Sequence, residues 1–101
     1  MTVANFAIGQ AGSGRLVASG ELSFETAARA LKQGEDLIGR GGAWVIDLSG
    51  IESGDSAGIA VLVEWLAAAQ SRGGSVRYEK IPAQMLAIAR ISDLEELLLV
   101  Q

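Results

Sequence analysis

The sequence predicts an α/β domain: a mixed, mainly parallel sheet of about five strands with helices packed against it, in the order β-β-α-β-α-β-α-β. Three observations lead there. Short apolar runs such as Ala43–Leu48 and Ser75–Tyr78 alternate with longer stretches of helical period. Glycines punctuate the joins, at Gly39, Gly41 and Gly42 and again at Gly73 and Gly74. A glycine-rich turn between the first two strands is short enough for a hairpin, whereas the later joins are long enough for crossovers. The reading treats residues 1–101 as a single domain with neither repeat nor linker.

Val3–Ile8 is the first strand, Gly9–Gly14 the turn, and Arg15–Ala18 the partner strand. The glycines there lack the G-x-G-x-x-G order, and no helix follows them, so they are not a dinucleotide loop. Ser23 is a suitable N-cap for a helix over Phe24–Ile38, whose apolar stripe is Phe24, Ala27, Ala28, Leu31 and Ile38. Ala43–Leu48 reads as a central strand buried on both faces. A polar loop, Ser49–Asp55, leads to a helix over Ser56–Ser71. Ser75–Tyr78 is the next strand. Ile81-Pro82 opens a third helix, with Met85, Leu86, Ile88, Ala89 and Ile91 on its apolar side. Ser92–Glu96 is a polar link, and Leu97–Val100 a last strand.

Composition removes whole classes of chemistry. With 101 residues, half of them apolar, the chain can bury a core of its own. Its net charge is −4, and its eight basic residues are scattered rather than gathered into a nucleic-acid-binding face. Cysteine is absent, which excludes disulfides and thiolate chemistry. Histidine is absent too, and with it the commonest general base and metal ligand. No signal peptide is expected at the start, and the longest apolar run, Ala57–Ala69, is broken by Glu64 and too short for a bilayer. The expected location is the cytoplasm.

The chemistry centres on Ser56, placed by the loop at a helix N-terminus where negative charge is favoured. Gly54-Asp55-Ser56-Ala57-Gly58 matches the G-x-S-x-G nucleophile elbow. Against that stand the span from Leu48 to Ser56 and the lack of any histidine to activate the serine. Lys32 and Lys80, the only lysines, adjoin no catalytic pattern. Asp47, Glu52 and Asp55 are of the type that binds magnesium, but acids in such a loop more often cap or face water, and Asp55 suits the cap. No catalytic residue, metal or cofactor is therefore expected. Ser56 is either a recognition or phosphorylation site, or simply a good first-turn residue. On the helix after it, Ile59, Leu62, Val63 and Leu66 form the sheet-facing stripe, with Val61, Trp65 and Ala68 opposite. Trp65 either folds beside a neighbouring helix or extends a partner surface.

The strand Val45-Ile46-Asp47-Leu48-Ser49-Gly50-Ile51 followed by Asp55-Ser56-Ala57-Gly58-Ile59-Ala60-Val61-Leu62 resembles the signature of STAS domains, the fold of bacterial anti-sigma factor antagonists. Arg72-Gly73-Gly74-Ser75-Val76 matches the turn into the following strand. Within the family, Ala57–Leu66 and Leu86–Leu98 are most similar to the MlaB-type subunits of bacterial phospholipid ABC transporters, which maintain outer-membrane lipid asymmetry. Antagonists usually carry glycine-leucine where this chain has Asp93-Leu94.

The resemblance implies a non-catalytic subunit that binds the transporter's cytoplasmic ATPase and lies peripheral to the inner membrane through that complex. Alternatively, it implies an antagonist that captures an anti-sigma kinase and is switched by phosphorylation at Ser56. In either case the docking edge is centred on Ser56, with Glu52, Ser53, Asp55, Ala57 and Gly58 around it and Val61 and Trp65 along the helix. The chain ends at Gln101, which implies little or no closing helix.

Overall fold

The structure is a computed structural model that describes residues 4–99. Its elements are β1 (Phe6–Gln10), β2 (Arg15–Leu22), α1 (Ala27–Ile38), β3 (Ala43–Gly54), α2 (Ser56–Ser71), β4 (Ser75–Glu79), α3 (Ala83–Ile91) and α4 (Glu95–Leu99). The described residues form one four-stranded sheet in the order β1-β2-β3-β4. β1 pairs antiparallel with β2, from Phe6 opposite Gly20 to Gln10 opposite Leu16, and the hairpin turns through Gly12 and Gly14 at positive φ. β2, β3 and β4 run parallel, joined by α1 and α2 as crossovers. The mixed, mainly parallel architecture expected from the sequence is therefore the observed one.

The helices cover one face of this sheet. Leu16, Ala18, Ile46, Leu48, Val76 and Tyr78 point into the core, whereas the residues between them face the other way. β3 is thus buried on one face rather than on both. Its other face belongs to an open, charged surface on which Arg15 meets Glu79 at 2.9 Å and Lys80 lies 4.0 Å from Asp47.

β3 also runs on to Gly54, through most of the stretch expected to be loop. Two register shifts against β2 absorb the extra residues, between Val17 and Ser19 and between Gly20 and Glu21. Ser49 and Glu52 suit such a strand because both remain exposed.

Two further expectations change. Phe24 does not belong to the stripe of α1. Ser23–Thr26 forms a turn stitched by Thr26, whose hydroxyl donates to the Glu21 carbonyl at 2.8 Å and accepts from the Ser23 N–H at 3.0 Å. The helix starts only after this turn, leaving Phe24 83% exposed and Ala28 also outside the core.

The last element is a helix, not a strand. α3 ends at Ile91; just past its cap Asp93 takes φ +58°, and the Leu94 N–H reaches back to the Ala89 carbonyl at 2.7 Å. Aspartate tolerates that left-handed conformation better than most residues other than glycine. α4 then seats Leu98 in the core, while Ile91 at the end of α3 is exposed rather than packed. Val3 and Val100 lie outside the described residues.

α1 and α2 are locked together by Trp65. Its side chain is fully buried, its ring centroid lies 6.2 Å from that of Phe6, and its Nε1–H donates to the Leu31 carbonyl at 3.4 Å. Gly34 makes this possible, because a Cβ there would collide with the indole. On the sheet side of α2, the buried Tyr78 hydroxyl donates to the Leu62 carbonyl at 2.6 Å. Burial holds its phenol well above the usual range, so it stays a donor.

Candidate functional site

The site lies where β3 gives way to α2. Only Asp55 separates the two elements, in an extended conformation with φ −137° and ψ −168°. Its Oδ1 accepts from the N–H groups of Ala57 at 2.9 Å and Gly58 at 3.2 Å, which is an N-cap of the ordinary kind. Oδ2 accepts from the Phe24 N–H at 3.1 Å, and the Asp55 N–H donates to the Leu22 carbonyl at 3.3 Å. One carboxylate therefore starts α2 and ties it to the turn before α1. The first residue it places is Ser56, exposed on the first turn, with a hydroxyl that makes no hydrogen bond to the described residues.

Of the residues expected around Ser56, the exposed Glu52 and the half-buried Ser53, Asp55 and Ala57 are brought together at this edge. Three are not. Gly58 is buried, and the approach it permits is that of the Leu22 carbonyl, with which a Cβ would collide. Val61 and Trp65 are core residues, 4% and 0% exposed, so neither extends a surface for a partner. Apolar positions on two sides of α2 are both used because α1, as well as the sheet, packs on it. What takes their place at the edge is Phe24, which periodicity assigned to the helix. The signal that points to it is Asp55, a cap whose second oxygen is left to accept from another backbone N–H.

Acidic groups frame the edge. Glu21, Glu25, Glu52 and Ser53 line a cavity of about 300 Å³ beside it. Glu21 accepts from the Ser23 hydroxyl at 2.5 Å and from the Ser53 hydroxyl at 3.5 Å. Among the described residues, no three acidic side chains gather into a group that could hold a metal ion. Asp47 is held below the usual carboxylate range, chiefly by hydrogen bonds from Ser49 and then by the charges of Lys80 and Arg15, but it lies on the open sheet face.

As chemistry, the site is a serine with no histidine to activate it. Because β3 extends to Gly54, the span from strand to serine is short after all, and that objection to a nucleophile elbow falls. A better one replaces it. An elbow serine occupies a strained turn, whereas among the described residues other than glycine only Lys80 and Asp93 have positive φ, and Ser56 is ordinary helix. Both lysines lie beside carboxylates, Lys32 at 3.6 Å from Asp36 and Lys80 at 4.0 Å from Asp47. What the arrangement can do is present a small hydroxyl, a half-buried carboxylate and an exposed aromatic ring to another molecule.

Comparisons with known proteins agree with this architecture. The family model for "Mlab, STAS domain" matches residues 7–101. No curated protein matches the chain. Among solved structures, the anti-sigma factor antagonist SpoIIAA in its unphosphorylated form superposes with a TM-score of 0.63 at 12% identity, covering 86% of this chain and 83% of that one. At that identity the likeness is one of fold. Among the described residues, no helix is long and apolar enough to cross a membrane.

Proposed function

The chain belongs to the Mlab-type STAS domain family, and from that premise we propose that it is a non-catalytic cytoplasmic subunit of a phospholipid-transporting ABC transporter. In this reading it docks on the transporter's ATPase, supports the activity of that ATPase, and so contributes to outer-membrane lipid asymmetry. The observation that carries the docking role is the exposed Ser56 at the capped start of α2, with Phe24 and Glu52 beside it. A serine displayed with no histidine to activate it suits a contact better than catalysis. The family match favours the transporter over other STAS partners.

A second reading draws on the SpoIIAA-like fold: an anti-sigma factor antagonist that captures a kinase and is released when Ser56 is phosphorylated. Affinity purification of the tagged chain from its native cell separates the two. The proposal expects an ABC ATPase in the eluate, in a stable complex with its permease. An anti-sigma kinase recovered without any ABC ATPase overturns it in favour of the second reading.

A further inference from the structure

The two edges of the sheet are finished differently. β4 carries Arg77 and Glu79 within its short run, and α4 packs against it. Charges of that kind discourage an incoming strand. β1 has no such guard: no side chain before Arg15 is charged, and Phe6–Gln10 holds neither a proline nor a register shift.

The register shows which backbone groups that edge offers. The Glu21 N–H donates to the Asn5 carbonyl and the Ala11 N–H to the Arg15 carbonyl, so the odd-numbered residues of β1 bond to β2. Between them, Phe6, Ile8 and Gln10 turn their N–H and C=O groups away from the sheet. Ala4 belongs to the same outward row, and its carbonyl accepts from the Arg29 guanidinium at 3.2 Å. Among the described residues, nothing donates to or accepts from the backbone of the other three. The side chains suit a paired strand as well. Phe6 is buried, Ile8 is half-buried at the margin of the core, and Ala7, Gly9 and Gln10 are exposed.

We infer that β1 pairs antiparallel with β1 of a second copy of this chain, joining two four-stranded sheets into one. About a two-fold axis through Ile8 the edge is complementary to itself: Ile8 faces Ile8, Phe6 faces Gln10, and each facing pair exchanges two hydrogen bonds. The two Ile8 side chains then cover each other where each core now ends. Charge favours the same occupant. The charged side chains behind the net charge of −4 all come after Gly14, so the two edges meet without like charges opposed. An uncharged edge also gives a foreign basic or acidic strand nothing to select it. So small a contact makes a weak dimer, and the inference is independent of the transporter reading.

The test is sedimentation equilibrium of the purified full chain from about 10 µM to about 1 mM, a range suited to a weak interface, with amide hydrogen exchange at both ends of it. The expected result is a shift from monomer towards dimer, with slower exchange at Phe6, Ile8 and Gln10 in the concentrated sample. Ile8→Pro and Gln10→Pro each delete an outward donor and set a ring against the second strand, while sparing the bonds to β2. Each should weaken the dimer by about tenfold or more, as loss of a central contact does. Thermal melts check each fold, and Gln10→Pro decides the matter should Ile8→Pro fail to fold. A monomer throughout the range overturns the inference. So does a dimer whose Phe6, Ile8 and Gln10 amides exchange as in the monomer, or wild-type dimerisation of the folded proline variants.

Discussion

The first turn and the later turns of α2 are built from the same small and apolar residue types yet do opposite jobs. At its start, Gly58 and Ile59 pack inward, but Ser56 and Ala60 are exposed and Ala57 is only half-covered. One turn on, Val61, Leu62, Trp65 and Leu66 are all buried, between α1 on one side and the sheet on the other. What differs is the neighbour. Gly34 lets α1 close over Trp65, whereas towards the N-terminus the alanines of α1 leave a trough open. Stability is concentrated where the helices meet, and recognition is available where they part. An apolar residue on a small domain is thus assigned by what packs on it, not by its own hydropathy.

That contrast can be broken by substitution at either end. The largest effect is expected from Trp65→Ala, which empties a fully buried site and should cost about 3–5 kcal/mol in chemical denaturation. A loss below about 1 kcal/mol, typical of surface positions, would show that Trp65 is not core. Asp55→Ala removes the cap of α2 and its tie to Phe24, and should cost about 1–2 kcal/mol by the same measurement. Ser56→Asp is expected to move stability least, with a gain of a few tenths to about 1 kcal/mol from charge at the helix start. Its larger effect should fall on partner binding, since an added carboxylate joins an edge already framed by Glu21, Glu25 and Glu52. A destabilised Ser56→Asp protein would mean that this turn belongs to the packed half of the helix.

Much of this was legible in the residues. The hairpin, the crossovers and the span of α2 followed from glycine punctuation and apolar period, and Asp55 from its place before that helix. The misreadings share a cause, which is that local pattern does not reveal the neighbour. Ser49, Gly50 and Glu52 look like loop residues, yet two bulges let them continue a strand whose outer face meets water. Leu97 and its neighbours form a short apolar run that suits strand or helix equally, and the reversal at Asp93 decides for helix. Phe24 has the right spacing for the stripe of α1, but Thr26 folds the preceding residues into a turn instead. Trp65 could not be assigned to surface or core without knowing that Gly34 would lie against it.

The most direct test of the central claim, that the capped start of α2 is a docking edge, is calorimetric titration of the ATPase with the wild-type chain and with Ser56→Arg. The side chain is exposed and makes no hydrogen bond to the described residues, so the variant should melt as the wild type does. Binding should fall by about a hundredfold, or roughly 2.8 kcal/mol. Equal affinity of the two folded proteins for the ATPase would contradict the account.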